Sequence, residues 1–213
     1  TVDLVTDVDG EYRVRSGETN LGDFVADAFR ASVHADVALV NGGGFREPIS
    51  AGKVTYKTLA ALFPFTNNLV VRSVTGQQLL DALEMGAANC PEDSGGFFHV
   101  SGLTYTIDAR VPSSVVQNEQ GGFVRVEGAY RVKDVMVGGV PLDLMEDYTV
   151  VSNSYIMRNS GNGMTMFEGS PLLQDTAFSD LDAIASYIKD QGGTVGKGYE
   201  NPSGAGRITI IKP

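Results

Sequence analysis

The sequence predicts a mixed α/β fold of the α+β type, with layered helices and largely antiparallel sheets, formed by residues 1–213 as one domain. Helical patterns with one apolar face alternate with short apolar runs in the first half of the chain. From about residue 102 to residue 151, short strand patterns follow one another instead. This order differs from the regular alternation of strand and helix that builds a doubly wound parallel sheet. The apolar fraction of 42% is sufficient for one large core.

Three helices and two strands are predicted in the first half. Apolar residues recur at intervals of three and four in three segments: 19–30, 55–62 and 76–88. Short apolar runs predict buried strands in two others: 36–40 and 68–74. Thr19 or Asn20 is the expected N-cap of the first helix and Thr55 that of the second, because their side-chain oxygens accept hydrogen bonds from the free amides of the first turn. Pro64 ends the second helix.

The second half is predicted to be mostly sheet. Strand patterns occur in five segments: 103–107, 123–126, 130–137, 148–151 and 207–211. The pair Gly138-Gly139 predicts a tight hairpin turn. One late amphipathic helix is predicted over residues 180–189, ended by Gly192-Gly193.

The charge balance excludes several classes of partner. Sixteen basic and 26 acidic residues give a net charge of -10, so the surface as a whole repels nucleic acid and anionic lipid. An anionic ligand then requires a local cluster of arginines. No apolar run approaches the roughly 20 residues that a membrane-spanning helix needs, so we expect no membrane span.

The few cysteine and histidine residues predict no metal site. Cys90 is the single cysteine, and with only His34 and His99 beside it there is no set at zinc-site spacing. His34 precedes a predicted buried strand, and we interpret it as a partly exposed structural residue. His99 follows two phenylalanines and receives no assigned role.

The run Asn41-Gly42-Gly43-Gly44-Phe45-Arg46 follows a predicted strand. Glycines allow a ligand to approach the backbone closely and leave amides able to face an anion, and Arg46 adds a fork suited to phosphate or carboxylate. No Gly-Lys-Ser/Thr follows, so this is not a nucleoside triphosphate loop. On the residues alone, an ordinary flexible turn is an equal alternative.

Two further segments combine aromatic residues with amides. Phe63-Pro64-Phe65-Thr66-Asn67-Asn68 could stack a planar base and satisfy its edge, but taken alone the segment favours a core position for both phenylalanines. Residues 152–163 follow a strand and again contain an aromatic residue, amides and glycines. Alone, each segment is also compatible with an ordinary turn.

Taken in order, these segments resemble the C-terminal domain of the 5'-nucleotidase family, which includes ecto-5'-nucleotidases and bacterial UDP-sugar hydrolases. The resemblance spans about residues 12 to 165 and rests on four matches: Arg15 ahead of Thr19-Asn20-Leu21-Gly22, then Asn41 to Arg46, then Pro64-Phe65-Thr66-Asn67, and finally Tyr155 to Gly163. It implies a layered α-β-β-α fold of that family. It also implies that the N-terminal metallophosphatase domain of the parent protein is absent from this chain.

The resemblance implies a substrate-binding role for nine residues: Arg15, Asn41, Gly43, Gly44, Arg46, Phe65, Asn67, Tyr155 and Asn162. The two arginines would bind phosphate or ribose hydroxyls, and the aromatic residues would clamp the base. The family places an aromatic residue six positions before the Asp of Gly-Gly-Asp-Gly, where this chain has Ile156; we assign the clamp to Tyr155, with a one-residue insertion. Asn162 replaces that aspartate, so we expect a weaker or altered substrate preference.

The resemblance further implies a parent enzyme that hydrolyses nucleoside 5'-phosphates outside the bacterial cytoplasm, in the periplasm, at the cell surface or in the medium. Two divalent metal ions would be held by the absent domain, whose Asp-x-His and Gly-Asn-His-Glu/Asp motifs do not occur here. This chain itself would hold no catalytic residue and no metal, and would bind a nucleotide or nucleoside without cleaving it. The alternatives are a relative that acts on UDP-sugars, 2',3'-cyclic nucleotides or thiosulfate carriers, and a non-catalytic scaffold or adhesion module.

Overall fold

The computed structural model describes residues 2–65 and 67–213. The helices in this part of the chain are α1 (Asn20–Val33), α2 (Tyr56–Leu62), α3 (Gly76–Ala87), α4 (Ser154–Met157) and α5 (Asp180–Asp190). The strands are β1 (Asp7–Val8), β2 (Glu11–Tyr12), β3 (Val37–Asn41), β4 (Asn68–Thr75), β5 (Phe98–Ser101), β6 (Leu103–Asp108), β7 (Val115–Gln117), β8 (Phe123–Val126), β9 (Val132–Val137), β10 (Val140–Pro141), β11 (Asp147–Asn153), β12 (Leu172–Ser179) and β13 (Ile208–Ile211). Short 3-10 turns occupy Gly42–Gly44, Gly161–Gly163 and Thr165–Phe167.

Two mixed sheets carry the fold. The larger sheet has the strand order β12-β4-β11-β3-β5, and the smaller has the order β10-β9-β6-β13. Each contains one parallel pair, β11 with β3 and β13 with β6, while the other neighbours are antiparallel. Two small hairpins, β1-β2 and β7-β8, stand apart from these sheets. The prediction of a mixed α/β fold with largely antiparallel sheets is confirmed.

The larger sheet separates two hydrophobic cores. Helices α1, α2 and α5 pack on one face, with Phe24 and Leu59 among the buried side chains. Helix α3 and the smaller sheet share the core on the other face, with Leu79 and Ile107 among its buried side chains. Successive residues of β3 contribute to opposite cores, because side chains alternate along a strand. This arrangement explains why the whole strand is buried and apolar up to Asn41.

The predicted caps and turns are confirmed. The Thr19 hydroxyl accepts a hydrogen bond from the Gly22 amide at 3.1 Å and so caps α1. Thr55 and Thr58 form a reciprocal capping box at the start of α2. Gly138 and Gly139, both with positive φ, join β9 to β10 in a two-residue hairpin. None of the helices in residues 2–65 and 67–213 has the length and apolar character needed to cross a bilayer.

The short elements β1, β2, β7 and α4 were not predicted, and three longer strands also differ from the sequence prediction. Strand β9 begins at Val132 instead of residue 130, since the Arg131 side chain turns into the protein interior. Strand β5 was not predicted, because His99 and Ser101 interrupt its apolar pattern. Strand β12 was not predicted either: it is a largely exposed edge strand with two breaks in register against β4, and edge strands carry little apolar signal.

A buried ionic group joins α3 to β9. The Arg131 guanidinium donates to five backbone carbonyls, those of Ala87, Ala88, Cys90, Ala109 and Val111. The Glu84 carboxylate, fully buried in α3, accepts hydrogen bonds from the backbone amides of Arg131 and Val132. Removal of the arginine side chain would leave five buried carbonyls without their donor and the buried Glu84 carboxylate without a nearby positive charge.

We therefore expect Arg131→Leu to lower the free energy of unfolding by about 3 to 5 kcal/mol. The matched control is Arg125→Leu, because Arg125 and its partner Glu127 are both more than half exposed, and such a surface pair contributes about 1 kcal/mol or less. Urea denaturation followed by circular dichroism measures both variants. Equal losses for the two variants would contradict this account of Arg131.

Candidate functional site

A cavity of about 380 Å³ opens at the end of the larger sheet where β3 and β11 terminate. It is lined by Arg15, Asn41, Gly43, Gly44, Arg46, Phe65, Asn67, Gly95, Asn153, Tyr155 and Asn162. All nine residues singled out from the sequence are in this set. Gly95 and Asn153 also line the cavity and were not among the predicted site residues. For Gly95, the only feature in the sequence was that a second glycine follows it.

Arg15 and Arg46 give the cavity a positive charge in a chain of net charge -10, and no acidic residue lines it. The Arg15 Nε atom is buried and lacks a hydrogen-bond partner, while its guanidinium lies 5.9 Å from the Tyr12 ring centroid. The Arg46 guanidinium lies 5.0 Å from the Phe65 ring centroid. Within residues 2–65 and 67–213, neither arginine forms an ion pair. Both cations are thus free to bind an acceptor group of a ligand.

The glycine run corrects one expectation from the sequence. The Gly42 amide donates to the Phe97 carbonyl at 2.7 Å and the Gly43 amide to the Gly95 carbonyl at 2.9 Å, so these two amides are not available to an anion. Position 44 requires glycine for lack of space, because a Cβ there would lie 2.7 Å from the Phe63 ring. The run therefore contributes close packing and an open cavity wall.

Asn41 connects three segments of the wall. Its Oδ1 accepts a hydrogen bond from Asn153 Nδ2 at 2.9 Å, and its Nδ2 donates to the Gly95 carbonyl at 3.3 Å and to Asn162 Oδ1 at 3.4 Å. Asn153 in turn caps α4 by accepting from the Ile156 amide at 3.0 Å. The amide of Asn41 is therefore fixed in position by the protein.

The structure separates core aromatic residues from those at the cavity. Phe63 is buried against Phe45, with ring centroids 5.1 Å apart, whereas Phe65 is 45% exposed and lines the cavity. Tyr155 is 40% exposed and also lines it, while Ile156 is completely buried in the core. This placement agrees with the choice of Tyr155 over Ile156 for the cavity wall.

The two exposed aromatic residues lie on segments that are tied together. The Ser154 hydroxyl donates to Asn67 Oδ1 at 3.2 Å, which connects the loop after α2 to the residue before Tyr155. The Asn67 carbonyl also accepts from the amide of Asp180, at the start of α5. The remaining residue of the matched tetrapeptide, Thr66, lies outside the described residues.

The Tyr155 side chain is held by the turn at residues 161–163. Its hydroxyl accepts a hydrogen bond from the Asn162 amide at 3.2 Å, and Gly161 packs so closely on the ring that a Cβ there would collide with it. Asn162 itself has φ 55°, a left-handed conformation that asparagine tolerates well. The Tyr155 ring and the Asn162 backbone are thereby fixed relative to each other at this corner of the cavity.

His99, which had no role predicted from the sequence, lies behind the cavity wall and does not line the cavity. It is completely buried, and its Nε2 lies 2.8 Å from the carbonyl of Val14, the residue before Arg15. A carbonyl only accepts, so Nε2 carries the proton, and Nδ1 has no partner. The ring also packs between Phe45 and Phe97, at centroid distances of 5.2 and 5.6 Å. His99 therefore touches the segments that carry Arg15, Arg46 and Gly95, and burial lowers its pKa to about 4.

Comparison with known proteins gives a family match over most of the chain. The family described as 5'-nucleotidase, C-terminal domain, matches residues 4–169. The chain is 30% identical over 218 residues to the trifunctional nucleotide phosphoesterase protein YfkN of Bacillus subtilis (strain 168), covering 98% of this chain and 13% of that protein. It is 31% identical over 176 residues to a 5'-nucleotidase of Vibrio vulnificus (strain CMCP6), covering 83% of this chain and 28% of the relative.

A solved structure agrees with these matches. The 5'-nucleotidase precursor of Thermus thermophilus superimposes with a TM-score of 0.81 at 34% sequence identity, over 100% of this chain and 38% of that one. The chain thus spans less than half the length of each of these three relatives.

The depressed pKa of His99 gives a pH dependence with a definite sign. The unfolded chain, with a pKa near 6.5, takes up a proton before the folded chain does, so the contribution of His99 to stability is present above about pH 6.5 and lost as the pH falls toward 4. We expect the free energy of unfolding of the wild type, relative to His99→Gln, to decrease by about 2 to 3 kcal/mol over this range.

Urea denaturation of both proteins at several pH values measures this difference. Burial raises the pKa of Asp23 to about 8 and that of Asp180 to about 7, but both residues are present in the two proteins and their contributions cancel. Parallel stability curves would show that His99 is not held neutral by the fold.

Proposed function

The chain belongs to the 5'-nucleotidase family, as its C-terminal domain, and on this premise we propose that it is the substrate-recognition domain of an exported enzyme that hydrolyses nucleoside 5'-phosphates to nucleoside and phosphate. The observation that carries this proposal is the composition of one cavity. Two exposed aromatic side chains and two arginines without a carboxylate partner line the same 380 Å³ space.

The aromatic residues suit the base of a nucleotide. Phe65 and Tyr155 are each exposed by about two fifths of their surface, on segments joined by the hydrogen bond between Ser154 and Asn67. A base has an apolar π face that stacks on such rings, and the stacking energy depends little on which base is bound. We therefore assign these two residues to the two sides of a base clamp.

The polar residues suit the remainder of the ligand. Arg15 and Arg46 would bind phosphate oxygens or ribose hydroxyls, which are acceptors that a guanidinium recognises well. Asn67 and Asn162 offer amides to the base edge and to ribose. Asn41 donates to Asn162, and the Ser154 hydroxyl donates to Asn67, so both amides are held in place by the protein. Gly43 and Gly44 would allow close approach of the ligand, with the Gly43 amide already bonded to Gly95.

The hydrolytic chemistry is assigned to another domain of the parent protein. We propose that two divalent metal ions, bound by an N-terminal metallophosphatase domain, activate the water and stabilise the leaving oxygen. In the part of this chain that the structure describes, no three His, Cys, Asp or Glu side chains are grouped as a metal site. The domain alone would accordingly bind ligand without cleaving it. Export is also a proposal, and it is supported by the name of the Thermus thermophilus relative as a precursor.

We expect Phe65→Ala to weaken adenosine and AMP binding by about 1 to 3 kcal/mol, because one stacking surface is lost. Isothermal titration calorimetry on the 213-residue chain measures the affinities directly. Tyr56→Ala is the matched control, since Tyr56 is an exposed aromatic residue, 58% accessible, that does not line the cavity. Unchanged affinity in the Phe65 variant would remove this residue from the site.

The asparagine at position 162 generates a second prediction. Asn162→Asp introduces a carboxylate that accepts charge-assisted hydrogen bonds from ribose hydroxyls, so we expect adenosine to bind about 1 to 2 kcal/mol more tightly. Binding of 2',3'-dideoxyadenosine should not improve, because it lacks those hydroxyls. An equal gain for both nucleosides would place the ribose elsewhere.

A further inference from the structure

Four asparagine side chains line the cavity: Asn41, Asn67, Asn153 and Asn162. A carboxamide has an acceptor oxygen on one side and a donor nitrogen on the other, so its orientation decides which group a ligand meets. Three of these carboxamides are joined by hydrogen bonds in the order Asn153, Asn41, Asn162, and we call this row the amide chain. Its direction therefore sets the polarity of the cavity wall.

The direction of the amide chain is fixed by two backbone groups. The Ile156 N–H can only donate, and it donates to Asn153 Oδ1 at 3.0 Å. The Asn153 nitrogen consequently faces the other way and donates to Asn41 Oδ1 at 2.9 Å. The Gly95 carbonyl can only accept, and it receives a hydrogen bond from Asn41 Nδ2 at 3.3 Å. A backbone donor and a backbone acceptor on different segments thus require the same direction.

At the other end of the amide chain, Asn162 presents its nitrogen. Its Oδ1 accepts a hydrogen bond from Asn41 Nδ2 at 3.4 Å, so the oxygen faces into the chain. Its Nδ2 lies beside Gly95, 3.4 Å from where a Cβ of that residue would be. Among the residues that the structure describes, this nitrogen has no acceptor. The free end of the amide chain is therefore a donor.

The remaining polar groups of the cavity have the same character. The side-chain carbonyl oxygens that line it each accept a hydrogen bond from the protein: those of Asn41, Asn67, Asn153 and Asn162. The Tyr155 hydroxyl also accepts one, from the Asn162 backbone amide. Arg15 and Arg46, by contrast, contribute only donors. The described wall of the cavity is thus rich in donors, while its side-chain oxygens already have protein partners.

We propose that Asn153 is a positioning residue: through Asn41 it turns the Asn162 carboxamide so that the ligand meets a donor. The inference rests on the proposed function, because it concerns which atoms of a nucleotide the cavity reads. A ligand atom beside Asn162 must then be an acceptor, such as a phosphate or carbonyl oxygen. The hydrogens of the ribose hydroxyls gain little, since the side-chain oxygens are occupied. The 2' and 3' positions of the sugar are accordingly weak determinants of affinity.

Two-dimensional NMR of the side-chain amides, on the 213-residue chain without ligand, tests the direction of the amide chain. Asn41 and Asn153 are buried and use their nitrogens within the protein, so we expect their NH2 protons to exchange slowly with water. The NH2 protons of Asn162 should exchange rapidly. Slow exchange at Asn162 together with rapid exchange at Asn153 would overturn the proposal, whether or not a nucleotide binds.

Calorimetry with adenosine and 2',3'-dideoxyadenosine tests what the ligand meets. We expect the wild type to bind the two nucleosides with affinities within about twofold of each other. Asn153→Asp keeps an acceptor for the Ile156 amide but cannot donate to Asn41, and the charge-assisted bond that it accepts turns Asn41 and then Asn162 over. Asn162 Oδ1 would then face the ligand. Adenosine should bind about fivefold more tightly than dideoxyadenosine, which corresponds to one neutral hydrogen bond.

Asn118→Asp is the matched control. Asn118 follows β7 outside the cavity, and its side chain forms hydrogen bonds only through Oδ1, which an aspartate retains. All proteins are compared at about pH 8, where the introduced carboxyl is ionised. A general effect of the added charge cancels in the ratio of affinities, because both nucleosides are uncharged. The control should therefore keep the wild-type ratio.

Two binding results would overturn the proposal: a wild-type preference for adenosine of about fivefold or more, or a ratio in Asn153→Asp equal to that of the control. Failure of the wild type to bind adenosine, dideoxyadenosine and AMP counts against the proposed function instead. The proton exchange rates then decide the direction of the amide chain by themselves.

Discussion

The backbone pairing of β3 with β5 continues beyond the end of both strands, and the cavity depends on this continuation. Val40 and Asn41 pair with His99 and Phe98, and past them the Gly42 and Gly43 amides bond to the carbonyls of Phe97 and Gly95. Side chains in the run would prevent this approach, because a Cβ at Gly43 would lie only 3.0 Å from the Gly95 backbone and one at Gly42 would collide with the Val14 carbonyl. The extended ladder brings the glycine run and the segment before β5 to one edge of the sheet, and hydrogen bonds to the Val14 and Arg15 carbonyls fix the arginine segment there as well.

The overall negative charge of the chain explains why an anionic ligand would need a local cluster of arginines. The chain as a whole is acidic, so its field disfavours an anionic ligand at a distance. Arg15 and Arg46 are placed against aromatic rings, where a carboxylate partner is not needed to orient them. A surface salt bridge would occupy the hydrogen-bond donors of the guanidinium. A guanidinium held against a ring keeps those donors available for another molecule.

Much of the fold and the positions of the site residues could be predicted from the sequence, because the signals are local. Caps such as Thr19 and Thr55, and turns such as Gly138-Gly139, depend on neighbouring residues alone. Features that depend on distant residues were not accessible. Arg131 is buried because five carbonyls from other segments meet around it, and His99 supports the cavity wall through its bond to the Val14 carbonyl, a residue distant in sequence. The hydrogen bonds of the Gly42 and Gly43 amides likewise depend on a strand whose pattern His99 obscures.

The edge strand β12 has a consequence for the behaviour of the protein in concentrated solution. Leu172 and Leu173 are each about half exposed on this strand, and an open strand edge with apolar side chains is a template for pairing with a second molecule. The two breaks in register between β12 and β4 bend the strand and interrupt the regular row of free amides and carbonyls. The two breaks in register therefore protect the domain from aggregation by strand addition.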